Sequence, residues 1–152
     1  MSDYTKGIHR LANVCGELEM GENCRIDPYV TITGKVKIGN NVHIGVGACL
    51  FGSEGIEIGD DCSISPGAKL FTTSYDLKTG HKANPQLKDK QYLNGSIKIG
   101  NRSIVGTTSI VLPGVVLGND VLIGALCLVK RSIKDGHFAF NDATTVKKRF
   151  TY

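Results

Sequence analysis

Four histidines and five cysteines are the side chains of this 152-residue chain with most capacity for proton transfer, nucleophilic attack or metal binding. Their spacing limits what they can do. Only His43 and His81 fall mid-chain, with His9 and His137 near the ends, too few for a three-histidine zinc site. Cys15, Cys24, Cys49, Cys62 and Cys127 are an odd number, with no Cys-x-x-Cys and no histidine at zinc-ligand spacing. Neither a metal site nor a disulfide framework is expected from them. The other chemistry-bearing stretch is polar, YDLKTGHKANPQLKDKQYLNGS, from Tyr75 to Ser96, and it holds Tyr75, Asp76 and His81 together.

What positions these residues is a beat of six. An aliphatic side chain recurs at Met20, Ile26, Ile32, Ile38, Ile44 and Leu50, then at Ile58, Ile64 and Leu70. It returns at Ile99, Val105, Val111, Leu117, Ile123 and Val129, and Ile8 and Val14 keep the same phase upstream. A second beat of small or β-branched residues lies four positions after each aliphatic, as in Cys24, Val30, Val36, Val42, Ala48, Cys62, Ala68, Ser103, Ser109 and Cys127. In a strand, alternate side chains share a face, so both beats point inward and the residue between them points out. His43 and Cys49 are then outward, whereas Cys24, Cys62 and Cys127 fill small inward slots as apolar groups.

Glycine followed by Asn or Asp marks the corners, as in Gly39-Asn40-Asn41 and Gly59-Asp60-Asp61. A helix is excluded: six is not a helical period, and interior glycines would cost about 1 kcal/mol each. Short strands and sharp turns stacked coil on coil make a parallel β-helix, with three hexads and 18 residues per turn. Met20 to Ile38 spans 18 residues and Ile38 to Ile58 spans 20, a two-residue insertion near Phe51–Glu54. Ile58 to Ile99 spans 41, one coil plus 23 further residues, so the Tyr75–Ser96 stretch projects as a long loop.

Composition narrows the classes further. Apolar residues at 41% with 21% charged describe a globular chain. A net charge of +4 without a basic stripe gives no nucleic-acid footprint. No apolar run reaches the roughly 18 residues of a membrane span. The opening MSDYTKGIHR lacks the apolar stretch of a signal peptide, so a cytoplasmic setting with reduced thiols is expected.

From Met20 to Ile133 the chain resembles the left-handed β-helix hexapeptide-repeat acyltransferases. The most specific segment is Ile99-Gly-Asn-Arg-Ser-Ile-Val-Gly through Val121-Leu-Ile-Gly-Ala, which is similar to the late coils of the maltose, galactoside and polysaccharide O-acetyltransferase branch. The resemblance implies an all-β, left-handed parallel β-helix of about five to six coils. Coils are expected at 8–74 and 97–134, a projecting loop at 75–96 and a C-terminal cap segment at 135–152. It also implies a homotrimer with acetyl-CoA, the co-substrate, bound between neighbours, and no metal.

The resemblance implies site residues as well. Gly106, Thr107, Gly124 and Ala125 stand where small residues let pantetheine lie against the backbone. Lys130 and Arg131 stand where the family has a basic pair for the nucleotide phosphates. The family's loop-root histidine, the general base, is replaced here by Tyr75 in Thr72-Thr73-Ser74-Tyr75-Asp76. A phenol with a pKa near about 10 is a poor base at neutral pH. His81, six residues on, is the expected base, with Tyr75 and Asp76 beside it, and outward His43 is a further candidate. The stretch Ile44–Gly52 lacks the polar acceptor-binding side chains of the galactoside enzymes. A lipid- or nucleotide-linked sugar of surface polysaccharide assembly is the expected acceptor. The leading expectation is acetyl-CoA-dependent O-acetylation of a sugar hydroxyl; the alternatives are N-acetylation of a nucleotide-linked amino sugar and a catalytically silent subunit that binds CoA or a partner.

Overall fold

In a computed structural model, which describes residues 6–75 and 92–141, the hexads become rungs. Seventeen strands and no helix occur among the described residues, most of the strands only two or three residues long. Face one is a seven-stranded parallel sheet of Gly7–Ile8, Arg25–Ile26, His43–Ile44, Ser63–Ile64, Ile104–Val105, Leu122–Ile123 and Phe138–Ala139. Faces two and three share one eight-stranded sheet: Lys69–Phe71, Ile110–Val111 and Leu128–Val129 lie on face two, Ile97–Ile99 and Val116–Leu117 on face three. The two faces share it because Asn13–Met20, Thr31–Ile38 and Cys49–Ile58 each run through their common corner unbroken. Registers keep the 18-residue step, as in Arg25 over His43 and Thr31 over Cys49.

The two beats form the core. Cys24, Ile26, Val30, Ile32, Val36 and Ile38 are each 2% exposed or less, and equivalent residues of the later coils continue the column. Each fully buried Ile or Leu contributes about 1.5–3 kcal/mol, which lets short strands persist without large rings. Small slots also carry hydrogen bonds between coils. Ser103 Oγ donates to Gly118 O at 3.0 Å and accepts from Val121 N at 2.9 Å. The Cys24 and Cys62 thiols donate to Gly39 O and Gly100 O, both at 3.0 Å.

The corner entering face one explains the glycine followed by Asn or Asp. Each Asx side-chain oxygen accepts from a backbone N–H one coil earlier: Glu22 N to Asn40, Asn40 N to Asp60, Asp60 N to Asn101 and Asn101 N to Asn119, all 2.7–2.8 Å. Asn119 N continues the ladder to Asp135 at 3.1 Å. The ladder passes close to the preceding glycine, and a Cβ on Gly39 would run into the Asp60 carboxylate. The next residue adopts a left-handed backbone, φ 56° at Asn41 and 57° at Asp61, which Asn and Asp tolerate.

Both breaks in the beat are visible. Cys49–Ile58 is ten residues against eight in Thr31–Ile38, and the register shifts between Gly34 and Val36 to absorb the surplus. At the second break Thr73–Tyr75 pairs antiparallel with Tyr92–Asn94, making a hairpin root for the loop. The two breaks are tied together. Buried Thr72 donates its hydroxyl to Phe51 O at 2.7 Å and accepts from Glu54 N at 3.1 Å, while Ser53 and Thr73 hydroxyls meet at 2.8 Å.

Candidate functional site

At the loop root, Tyr75 is 43% exposed and its ring lies 5.2 Å from that of Tyr92 across the hairpin. The position expected to carry a base thus presents two phenols. Asp76 and His81 lie outside the described residues.

The glycines expected to face pantetheine have a second reason to be glycine. A Cβ on Gly106 would stand 2.5 Å from the carbonyl of Gly124 in the next coil. Thr107 and Ala125 are exposed on the same corner, one above the other. Lys130 and Arg131 are exposed at the carboxyl-terminal end. There they border a groove of about 500 Å³ lined also by Leu126, Leu128, Phe140 and Asn141. Apolar walls with two cations at the rim suit an aliphatic arm that ends in phosphates. Cys24, Cys62 and Cys127 are buried packing groups, and burial pushes the Cys62 thiol pKa up, away from thiolate chemistry.

Residue reading did not foresee a cluster on the outward side of face one. His43 Nε2 lies 2.8 Å from Asp27 Oδ2 and 2.6 Å from Arg25 Nη2, and Arg25 Nε lies 3.0 Å from Asp27 Oδ1. A single ring nitrogen has one in-plane position. Protonated, Nε2 donates to Asp27; unprotonated, it accepts from Arg25. The signal was available in the 18-residue step, which sets Arg25 directly against His43. Among the described residues no group of three His, Cys, Asp or Glu is placed to hold a metal ion. No helix there is long and apolar enough to cross a membrane.

Stacked hexad coils are the architecture that this chain shares with hexapeptide-repeat transferases. Residues 19–52 match the bacterial transferase hexapeptide family (six repeats), and residues 96–126 match the hexapeptide repeat of succinyl-transferase. The galactoside O-acetyltransferase of Lactococcus lactis is 34% identical over 86% of this chain and 62% of its own. The dTDP-4-amino-4,6-dideoxy-D-glucose acyltransferase of Escherichia coli is 31% identical over 76% of this chain and 63% of its own. The chain therefore spans about three-fifths of the length of these curated relatives. AntD, an N-acyltransferase from Bacillus cereus solved in complex with dTDP and 3-hydroxybutyryl-CoA, superposes with a TM-score of 0.83 at 30% identity, covering 88% of this chain and 74% of that one. The chain belongs to the hexapeptide-repeat acyltransferase family, and its solenoid of about six turns has the left hand of that fold.

Proposed function

We propose that the protein transfers an acyl group from acyl-CoA to the amino group of a nucleotide-linked amino sugar. The observation that carries this is the loop root, where the tilted rings of Tyr75 and Tyr92 lie side by side at the position expected to hold a histidine. A neutral amine attacks a thioester without a strong base, whereas an alcohol needs one. The C–N bond forms, the C–S bond breaks, and the proton lost by nitrogen leaves with CoA as its thiol. Likeness to AntD, an N-acyltransferase solved with dTDP, supports the same acceptor class.

The CoA side rests on Lys130 and Arg131, whose groove matches an aliphatic arm with phosphates in chemistry, and on the exposed corner of Thr107 and Ala125. A homotrimer with CoA between neighbours is part of this reading. Outward Ile104, Leu122 and Phe138, 40%, 48% and 68% exposed on one face, support it. A cytoplasmic setting is also part of this reading.

A second reading, O-acetylation of a sugar hydroxyl in surface polysaccharide assembly with His81 as base, is favoured by 34% identity to the galactoside enzyme. Release of CoA thiol separates them when paired amino- and hydroxy-sugars on dTDP are supplied with acetyl-CoA. Preference for the amine by about tenfold or more supports N-acylation. Hydroxyl transfer abolished by His81→Ala replaces it with O-acetylation. Silence toward both acceptors, unrelieved in Tyr75→His, makes the chain a binding subunit.

A further inference from the structure

Face one carries a polar groove that acyl transfer leaves unassigned. It lies at the amino-terminal coils, has a volume of about 320 Å³, and is lined by Lys6, Asn23, Arg25, Asn41, Val42 and His43. Among the described residues no carboxylate lines it. The neighbouring Asp27 side chain is only 13% exposed, against 36% for Arg25 and 34% for His43. Asp27 engages Arg25 through one oxygen and His43 through the other, so it positions both side chains at the groove they line. Lys6 is held there as well, its Nζ donating to Asn23 Oδ1 at 2.6 Å. Asn41 Nδ2 donates to Asp61 Oδ1 at 2.8 Å, which orients the amide beside them.

A guanidinium, an ammonium and an imidazole converging on one concavity favour an anion with several oxygens. Half-burial strengthens such contacts beyond those of fully solvated cations. We infer that this groove binds the diphosphate of the nucleotide-linked acceptor, with Lys6 and Arg25 as its cationic contacts, His43 as a hydrogen-bonding contact and Asp27 as the positioning residue for Arg25 and His43. The inference rests on the acceptor class proposed above. It places acceptor phosphates at the first coils and CoA phosphates near Lys130 and Arg131 at the last.

Calorimetric titration of the full chain with dTDP, thymidine, inorganic pyrophosphate and CoA tests it. dTDP and pyrophosphate are expected to bind, with thymidine about tenfold weaker than dTDP or worse. Arg25→Gln and His43→Gln should each weaken dTDP by about fivefold or more and leave CoA affinity within about twofold. Unchanged dTDP affinity in both folded variants overturns the site, as does displacement of dTDP by CoA. Should the variants not fold, the ¹⁵N-imidazole signal of His43 in the wild type decides. A saturable shift with pyrophosphate supports the site, and an unmoved signal overturns it. The two proposals fail separately. Acylation of a dTDP-amino sugar with dTDP affinity indifferent to Arg25 and His43 sinks the site and keeps the reaction. Pyrophosphate held by Arg25 and His43 in a protein that acylates neither sugar keeps the site and sinks the reaction.

Discussion

Faces one and three bury the same kind of residue and turn different residues outward. Inward, Ile26 and Ile44 on face one match Ile38 and Ile58 on face three, all 3% exposed or less. Outward, face three is a ladder of paired charges: Glu17 with Lys35 at 3.8 Å, Glu19 with Lys37 at 3.2 Å and Glu57 with Lys98 at 3.2 Å. Those side chains are 53–77% exposed, so each pair is worth about 0–1 kcal/mol. Face one instead sets a half-buried Arg–Asp–His cluster at its first coils and an apolar column at its last. On face three the outward charges are matched one against another, whereas on face one cations gather at one end and apolar side chains at the other. The difference teaches that the core fixes the prism while leaving each outward column free to specialise.

The largest expected effect breaks the apolar end of face one. Leu122→Glu puts a charge into the proposed subunit contact, and association should weaken by about 30-fold or more. Sedimentation velocity would show a trimer giving way to protomers at micromolar concentration. A single protomer in the wild type would remove the contact from the comparison altogether.

The next effect belongs to the polar end. Asp27→Asn keeps the shape but removes the charge that Arg25 and His43 share. Both partners are about a third exposed, so solvent screens part of the loss, and about 1–2 kcal/mol of stability is expected to go. The urea midpoint measures it. On face three, Glu19→Gln should stay within about 0.5 kcal/mol in the same assay. Equal losses from the two substitutions would erase the contrast between the faces.

The prism was legible because its signal is repeated: a wrong reading of one hexad is corrected by the next. The two-residue insertion and the long excursion were legible as lost phase. Their mutual clamp, Thr72 and Thr73 to Ser53 and Glu54, was not, since it joins two irregularities that share no period. Gly106 was read as space for a ligand, but the Gly124 backbone above it is by itself sufficient reason for glycine. The Arg25–Asp27–His43 cluster escaped because each residue by itself looks like an outward polar position. Only stacking by 18 residues puts two of them side by side. Within the expected acid–base set Tyr75 is placed by the hairpin, whereas Asp76 and His81 lie outside the described residues.

The smallest expected effect lies at the corner between these faces, where Arg102 and Asp120 form a two-pronged pair at 2.7 and 2.8 Å. Hydrogen bonds from Arg102 hold the Asp120 carboxyl below the usual carboxylate range, and the Arg102 guanidinium is raised in turn. A folded-state value below the unfolded one means that the native state favours the ionised form. The contribution is therefore present above the unfolded carboxylate pKa, near about 4, and disappears as the pH falls through the lower folded value. Both groups are solvated, so salt should screen the effect. Melting temperature followed from about pH 6 to about pH 2 should fall slightly less steeply in Asp120→Asn than in the wild type at low salt, and the two curves should coincide at about 1 M salt. A difference that persists at high salt would mean that short hydrogen bonds rather than screened charge hold the corner, as they hold the Asx ladder beside it.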